Sequence, residues 1–259
     1  MNHGNRCVLA GLLLSGLLAA ATPSHADPAG MDLIRKMVAR YRGLRTYSDA
    51  WTITEQQGKQ RRTMVGSTRL ARPNRFFFST EMNGRLESVF AGDGKTSTLY
   101  TALRRQYAQE PASAGLPLLL RGVNHAAVRL FAGVDFSSSI RDARIVGRSA
   151  VDGAPVHVVK VTFKIPAPPK GVKLSEAQKA DLERLRTEPP DIRYYIGVAD
   201  TLMHRNEMIV HGKTAGGESA TMTVRQEFRN IHANQAIPAA AFAFTPPRGS
   251  TKFTPPKQK

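Results

Sequence analysis

The chain has 259 residues, 41% of them hydrophobic and 22% charged, with a formal net charge of +17. That length permits one self-supporting core, and a single cysteine, Cys7, excludes a disulfide framework. The cationic balance suits anionic partners such as phosphate head groups or acidic proteins, although the Lys and Arg residues are spread along the chain rather than clustered.

Arg6, the apolar run Val8 to Ala21 and Ser24-His25-Ala26 read as a secretory signal peptide spanning residues 1–26, cleaved after Ala26. The run is shorter than the roughly 20 residues of a spanning helix, so no transmembrane anchor is expected. Cys7 precedes most of the run, where a lipid-modified cysteine would follow it. The remaining residues 27–259 read as a single domain. They contain no thiol nucleophile and no thiolate metal ligand.

Residues 30–44 predict an amphipathic helix. Leu33, Met37, Tyr41 and Leu44 form its apolar stripe, with Ile34 and Val38 beside it, and Arg35, Lys36, Arg40 and Arg42 lie opposite. The period then becomes two. Tyr47, Trp51 and Ile53 share one parity, Met64 to Leu70 alternates again, and Phe76, Phe77 and Phe78 sit in a third strand. Asp93-Gly94 predicts a hairpin turn between 88–91 and 96–101, because such a turn favours positive φ. Residues 104–109 predict one more short strand.

Residues 116–132 predict a helix opened by Pro117. Strands resume at 144–148 and 156–165 around the turn Val151-Asp152-Gly153, while Ser137-Ser138-Ser139 reads as loop. The run Pro166 to Gly171 breaks the sheet. A polar helix from Ser175 to about Thr187 follows, with Ser175 and Gln178 as a capping box and Glu176–Lys179 and Glu183–Arg186 as surface pairs. It reads as an insertion at about 170–190. Strands return at 192–198, 202–210 and 219–228, and Pro246-Pro247 and Pro255-Pro256 suggest a loose terminus. Ten or eleven strands with tight connections favour one large antiparallel sheet, which must curl and have its inner face covered.

The chemistry-bearing candidates are few. Gly94-Lys95-Thr96 is not a phosphate-binding loop, because position 89, where that motif needs glycine, is Val89. His125, His157, His204, His211 and His232 show no metal-ligand spacing, and no G-x-S-x-G is present. No enzyme activity, metal or cofactor is therefore expected, and nucleic acid is not an expected partner of an exported chain. The apolar residues Trp51, Met64, Phe76, Phe78, Tyr194, Ile196, Met208 and Met222 read, on their spacing alone, as ordinary core. Arg72 ends an alternating strand just before Pro73. It is either a solvated neighbour of Arg69 and Arg75 or a five-donor fork reaching across the mouth of a cavity.

Three pieces in order, Leu70-Ala71-Arg72-Pro73-Asn74, Asp93-Gly94-Lys95-Thr96 and Phe242-Ala243-Phe244-Thr245-Pro246-Pro247, resemble the LolA-like superfamily of periplasmic lipoprotein carriers. The resemblance implies a mainly β fold: a large curved antiparallel sheet forming an incomplete β-barrel, its apolar concave side covered by a helical lid. It implies a monomer that acts in the periplasm without covalent chemistry. Acyl chains of lipoproteins or lipids would be its cargo, received from an inner-membrane ABC transporter and passed to an outer-membrane receptor. It turns the eight apolar residues above into cavity-lining candidates and assigns Arg72 to holding and releasing the lid. Pro73, Asn74, Asp93, Gly94, Phe242, Phe244, Pro246 and Pro247 become structural motif positions. The inserted polar helix, the strong positive charge and Gly147 to Gly153 resemble less characterised secreted members of the superfamily better. For those members, binding of a protein partner in the envelope is the alternative to carriage of lipid.

Overall fold

A computed structural model describes residues 28–112, 119–120, 125–165, 167–168, 174–213 and 219–254. The expected signal peptide, Pro117, most of the Pro166–Gly171 run and Pro255-Pro256 lie outside the described residues.

Helix α1 (Pro28–Arg42) is amphipathic as its stripe predicts: Ile34, Met37, Val38 and Tyr41 are buried, and Arg40 and Arg42 occupy the last turn, where cations suit the helix dipole. It ends two residues earlier than expected. Gly43 caps it, donating to Ala39 O at 3.0 Å, and Leu44 is buried beyond its end. At its start Gly30 lies directly against the Ala143 carbonyl, so the helix rests on strand backbone with no room for a side chain there.

Twelve strands follow, one more than the upper expectation: β1 (Thr46–Gln57), β2 (Gln60–Ala71), β3 (Arg75–Met82), β4 (Arg85–Asp93), β5 (Thr96–Thr101), β6 (Gln106–Pro111), β7 (Ile140–Val151), β8 (Ala154–Phe163), β9 (Asp191–Gly197), β10 (Met203–Lys213), β11 (Ser219–Ala233) and β12 (Thr251–Lys252). They form one sheet in the order β12-β6-β5-β4-β3-β2-β1-β11-β10-β9-β8-β7. Every neighbouring pair is antiparallel except β12 on β6. The sheet does not close: β7 is one edge, and β6 with the short β12 is the other.

Register fixes which residues share a face. Trp51 pairs with Gly66 and Phe228, Leu70 with Phe76, and Phe78 with Phe90, which puts all of them on one side. That face carries the principal core, which continues through Val159, Val161 and Ile196 and is completed by α1 and helix α2 (Ala126–Phe131). Phe77, between Phe76 and Phe78, points to the convex side beneath the guanidinium of Arg69, 4.8 Å from its ring centroid.

Three expectations are corrected. The helix over 116–132 is not continuous: Ala112, Leu119 and Leu120 are helical, but His125 is extended (φ −115°, ψ 115°) and starts α2 afresh. The reason is local, since the His125 ring accepts the Val128 N–H and does for α2 what a Ser or Asp cap does elsewhere. The terminus is not loose as far as Thr254. Residues 239–253 cross the convex face, with a 3₁₀ turn at Ala239–Phe242, Phe244 tilted against Tyr100, and β12 bonded to β6. Phe242 is fully buried there, under Arg75. The three serines at 137–139 form a short 3₁₀ turn rather than open loop. Helix α3 (Glu176–Thr187) carries the expected capping box at Ser175 and both expected ion pairs.

A covered apolar face and its fastenings

The concave face has two parts. Beneath α1 and α2 it is packed. Trp51 stacks on Phe78 (5.1 Å between centroids), Phe76 stacks on Phe90 (5.3 Å), and Ile34, Met37, Val128, Leu130 and Ile196 complete a buried core. Farther along the same strands the cover thins. Met64 faces Met82 across β2 and β3, Met208 faces Ile192 and Val224, and Val210 faces Met222, all half-buried. Of the proposed lining residues, then, Trp51, Phe76, Phe78 and Ile196 lie under the helices, and Met64, Tyr194, Met208 and Met222 lie at partly accessible positions. Unbranched methionines adapt their shape to irregular neighbours, which suits an apolar surface whose contacts change. Arg184 of α3 reaches over Gly212, a position on this same half-open stretch of face.

Arg72 fastens the cover to the sheet. It follows β2, and its backbone N–H donates to Arg45 O. Its guanidinium donates from Nε to Leu44 O at 2.9 Å, and from Nη2 to Arg42 O at 3.1 Å and Phe131 O at 2.7 Å. The same group lies 4.6 Å from the centroid of the Phe131 ring. One side chain on the sheet thus satisfies carbonyls at the C-terminal ends of both cover helices, where partial negative charge accumulates.

Pro73 and Asn74 turn the chain into β3, and Asn74 Nδ2 donates to Gly94 O at 3.4 Å. Asp93 Oδ1 accepts the N–H groups of Lys95 and Thr96 at 2.7 and 2.8 Å, while Gly94 takes φ +100°. Those two backbone bonds hold the Asp93 carboxyl below the usual carboxylate range. The motif pieces therefore form two neighbouring turns at the Arg72 end of the sheet. Phe242, Phe244, Pro246 and Pro247 lie apart from them, in the strap across the convex side.

A second fastening escaped the sequence reading. Asp49 and His125 are both wholly buried, with His125 Nε2 3.7 Å from Asp49 Oδ2 and 3.5 Å from Thr68 Oγ1. The Tyr47 hydroxyl donates to Asp49 Oδ2 at 2.7 Å, and Asp49 Oδ1 has no hydrogen-bond partner among the described residues. Trp51, Phe78 and Phe228 ring the imidazole edge-on at 5.1 to 5.7 Å. Burial pushes the Asp49 carboxyl up to about 7, against the lowering effect of the Tyr47 and Thr68 hydrogen bonds, and it pushes the His125 imidazole down to about 3. The legible signal was parity. Asp49 lies between Tyr47 and Trp51 on the apolar stripe, where a carboxyl is out of place.

Two cavities open on the surface elsewhere. One of about 810 Å³ runs along α3 beside Pro168 and Leu174. A smaller one of about 170 Å³ lies at the β7–β8 and β9–β10 turns, beside the Asp200–His204 pair. No group of three His, Cys, Asp or Glu side chains among the described residues is placed to hold a metal ion. No helix among them is long and apolar enough to cross a membrane.

An unclosed antiparallel sheet whose apolar concave face is covered by helices is the architecture that the LolA-like resemblance implies. The chain belongs to the family described as predicted periplasmic protein (DUF2092), whose model matches residues 31–165, a little over half its length. No curated protein matches the sequence. Among solved structures it is similar to the lipoprotein LppX of Mycobacterium tuberculosis (TM-score 0.45, 11% identity, covering 83% of this chain and 100% of that one). It is also similar to LprF of Mycobacterium bovis (0.44, 13%, 89% and 100%) and to a LolA superfamily protein of Nitrosomonas europaea (0.34, 7%, 83% and 97%).

Proposed function

We propose that this protein is a periplasmic binder and carrier of acyl chains that works without covalent chemistry. In this reading the structure is its closed form. Lifting α1 and α2 exposes the aromatic floor at Trp51, Phe76 and Phe78, which joins the methionine-lined stretch into one apolar trough. The observation that carries the reading is Arg72, which ties the C-terminal ends of both cover helices to the sheet through three carbonyl hydrogen bonds and a contact with the Phe131 ring. Such a tie can open and re-form, whereas a core built for permanence would be packed with apolar contacts at that position. The family's description as periplasmic supports the compartment.

The energetics suit release as well as capture. Each buried methylene gains about 0.8 kcal/mol, so a long acyl chain gains on the order of 10 kcal/mol. The cover competes for the same surface, so net affinity falls to the difference and handover becomes feasible. Lipids or the acyl chains of lipoproteins are the proposed cargo. An inner-membrane transporter as donor and an outer-membrane receptor as acceptor complete the proposed route.

Mass spectrometry of organic extracts tests this directly: protein purified from an envelope should yield acyl-chain lipid or lipoprotein in near-stoichiometric amount. Arg72→Leu should fold and should raise the binding rate of a fluorescent fatty acid several-fold, because the cover opens more often. Protein that is repeatedly lipid-free and does not bind the probe would sink the carrier reading. Capture of one stoichiometric envelope protein, lost on deletion of residues 170–188, would replace it with a protein-binding role.

A further inference from the structure

We propose that Asp49 and His125 are a one-proton bolt between sheet and cover: with α2 seated, the pair holds a single proton on the Asp49 carboxyl, and with α2 lifted that proton is carried by the His125 imidazole. The inference goes beyond the carrier reading and needs only that α2 can leave the sheet.

The geometry sets the closed form. The Val128 N–H donates to His125 Nδ1 at 3.3 Å, so Nδ1 must present its lone pair. The ring is then neutral, with its proton on Nε2, facing Thr68 Oγ1 and Asp49 Oδ2. An ionised Asp49 would face this neutral ring with Oδ1 unpartnered and the side chain at zero exposure, a costly arrangement for a bare charge. A protonated carboxyl avoids that cost, and the downward and upward shifts of the two groups agree with it. The other groups around the pair do not compete for the proton. Tyr47 on β1 and Tyr41 on α1 are both raised, chiefly by burial. Arg129 on α2 is engaged with Leu120 O, and β2, β3 and β11 present Thr68, Phe78 and Phe228.

Lifting α2 returns both groups to water, where their ordinary values are 3.8 for the carboxyl and 6.5 for the imidazole. Between those values an open pair is carboxylate plus imidazolium, which is again one proton. The proton leaves Asp49 and one arrives on His125, so opening exchanges none with the solvent. Each group alone would be strongly pH-sensitive, and with opposite sign. A buried neutral imidazole loses its stabilisation as pH falls below 6.5 toward about 3. A buried carboxyl raised to about 7 loses its stabilisation as pH climbs from 3.8 toward that value. Together they cancel, so the bolt keeps the cover's closure constant while the surroundings acidify.

Hydrogen exchange of the Arg129 and Ala132 amides, corrected for intrinsic rates, reads the opening of α2 from pH 4 to 6.5. The unaltered protein should give a level profile. Asn at 49 (Asp49→Asn) should make opening rise about tenfold per pH unit as pH falls. Gln at 125 (His125→Gln) should make it rise about tenfold per unit as pH increases. Should a variant fold poorly, the ring nitrogen shifts of His125 in the unaltered protein decide: a neutral Nε2–H ring throughout this range is expected. A ring that titrates near 6.5 or is cationic throughout overturns the proposal, and so do variant profiles that are level or slope the same way. Neither readout involves lipid, so failure of the carrier reading leaves this test intact.

Discussion

At the scale of single residues, three arginines close together in sequence play separate parts. Arg72 spends its donors on three carbonyls of the cover, whereas its neighbours Arg69 and Arg75 lie over Phe77 and Phe242 on the convex side. Period-two alternation predicts such a division between faces, but not which carbonyls a flexible side chain finds. Asp93 is simpler. Its carboxylate accepts two backbone N–H groups of the β4–β5 turn, so its ionised form is favoured in the folded state. Because its folded value is depressed, this contribution is present above 3.8 and disappears as pH falls through the lower folded value. Asp93→Ala should cost about 1 kcal/mol at neutral pH, discounted for its exposure, and its urea midpoint should converge with that of the parent only as pH falls through that lowered value. A midpoint difference that persists unchanged in acid would mean that the carboxylate is not what holds the turn. Asp49 and His125 were the least legible residues. Their meaning depends on a contact between strand β1 and helix α2, which local sequence does not encode.

At the scale of elements, strong periodicity was read well and chain crossings were not. The α1 stripe, the Asp93-Gly94 hairpin and the Ser175 capping box follow from spacings within one element, and the structure has all three. The α2 start at His125 and the C-terminal strap depend on long-range packing. A histidine is an unusual cap, and prolines near a terminus ordinarily mean fraying. Here Phe244 packs on a separate convex cluster containing Val89, Ala91 and Tyr100, and Phe242 is buried under Arg75. Phe242→Ala removes a fully buried ring and should lower stability by roughly 3–5 kcal/mol. Binding of an acyl probe at a permissive temperature should be unchanged, because the strap lies across the sheet from the cover. Loss of binding in a well-folded Phe242→Ala protein would tie the strap to the site.

At the scale of the whole molecule, the cover and the sheet are held by different kinds of interaction. The central strands β1, β2 and β11 are joined by long ladders, with one register shift between Ser48 and Ala50 on the β11 side, and β1 pairs along nearly its full length on both sides. Helix α2 has only six residues, and besides the packing of Val128, Leu130 and Phe131 on the core two polar fastenings, at Arg72 and at His125, join it to the sheet. Amide exchange should therefore divide the protein: α2 should open at least a hundredfold more often than the middle of β1, a gap of about 2.7 kcal/mol or more. Equal protection of both would mean that the cover leaves only when the sheet itself unfolds, and no cargo could then enter by that route. The overall architecture was legible because many short strands with tight turns force a curling sheet. The degree of closure was not, since it depends on whether the first and last strands meet.

They do not meet, and this has a mechanical result. Among the described residues no backbone ladder joins β7 to the β6–β12 margin, so the girth of the half-pipe is not fixed there by a ring of hydrogen bonds. Its radius can widen or narrow by a change of strand twist, with every existing rung intact. A seamless tube would have to break rungs or add a strand to admit a thicker guest. On the proposed carrier reading, such a split collar would let one chain grip guests of different bulk at little structural cost.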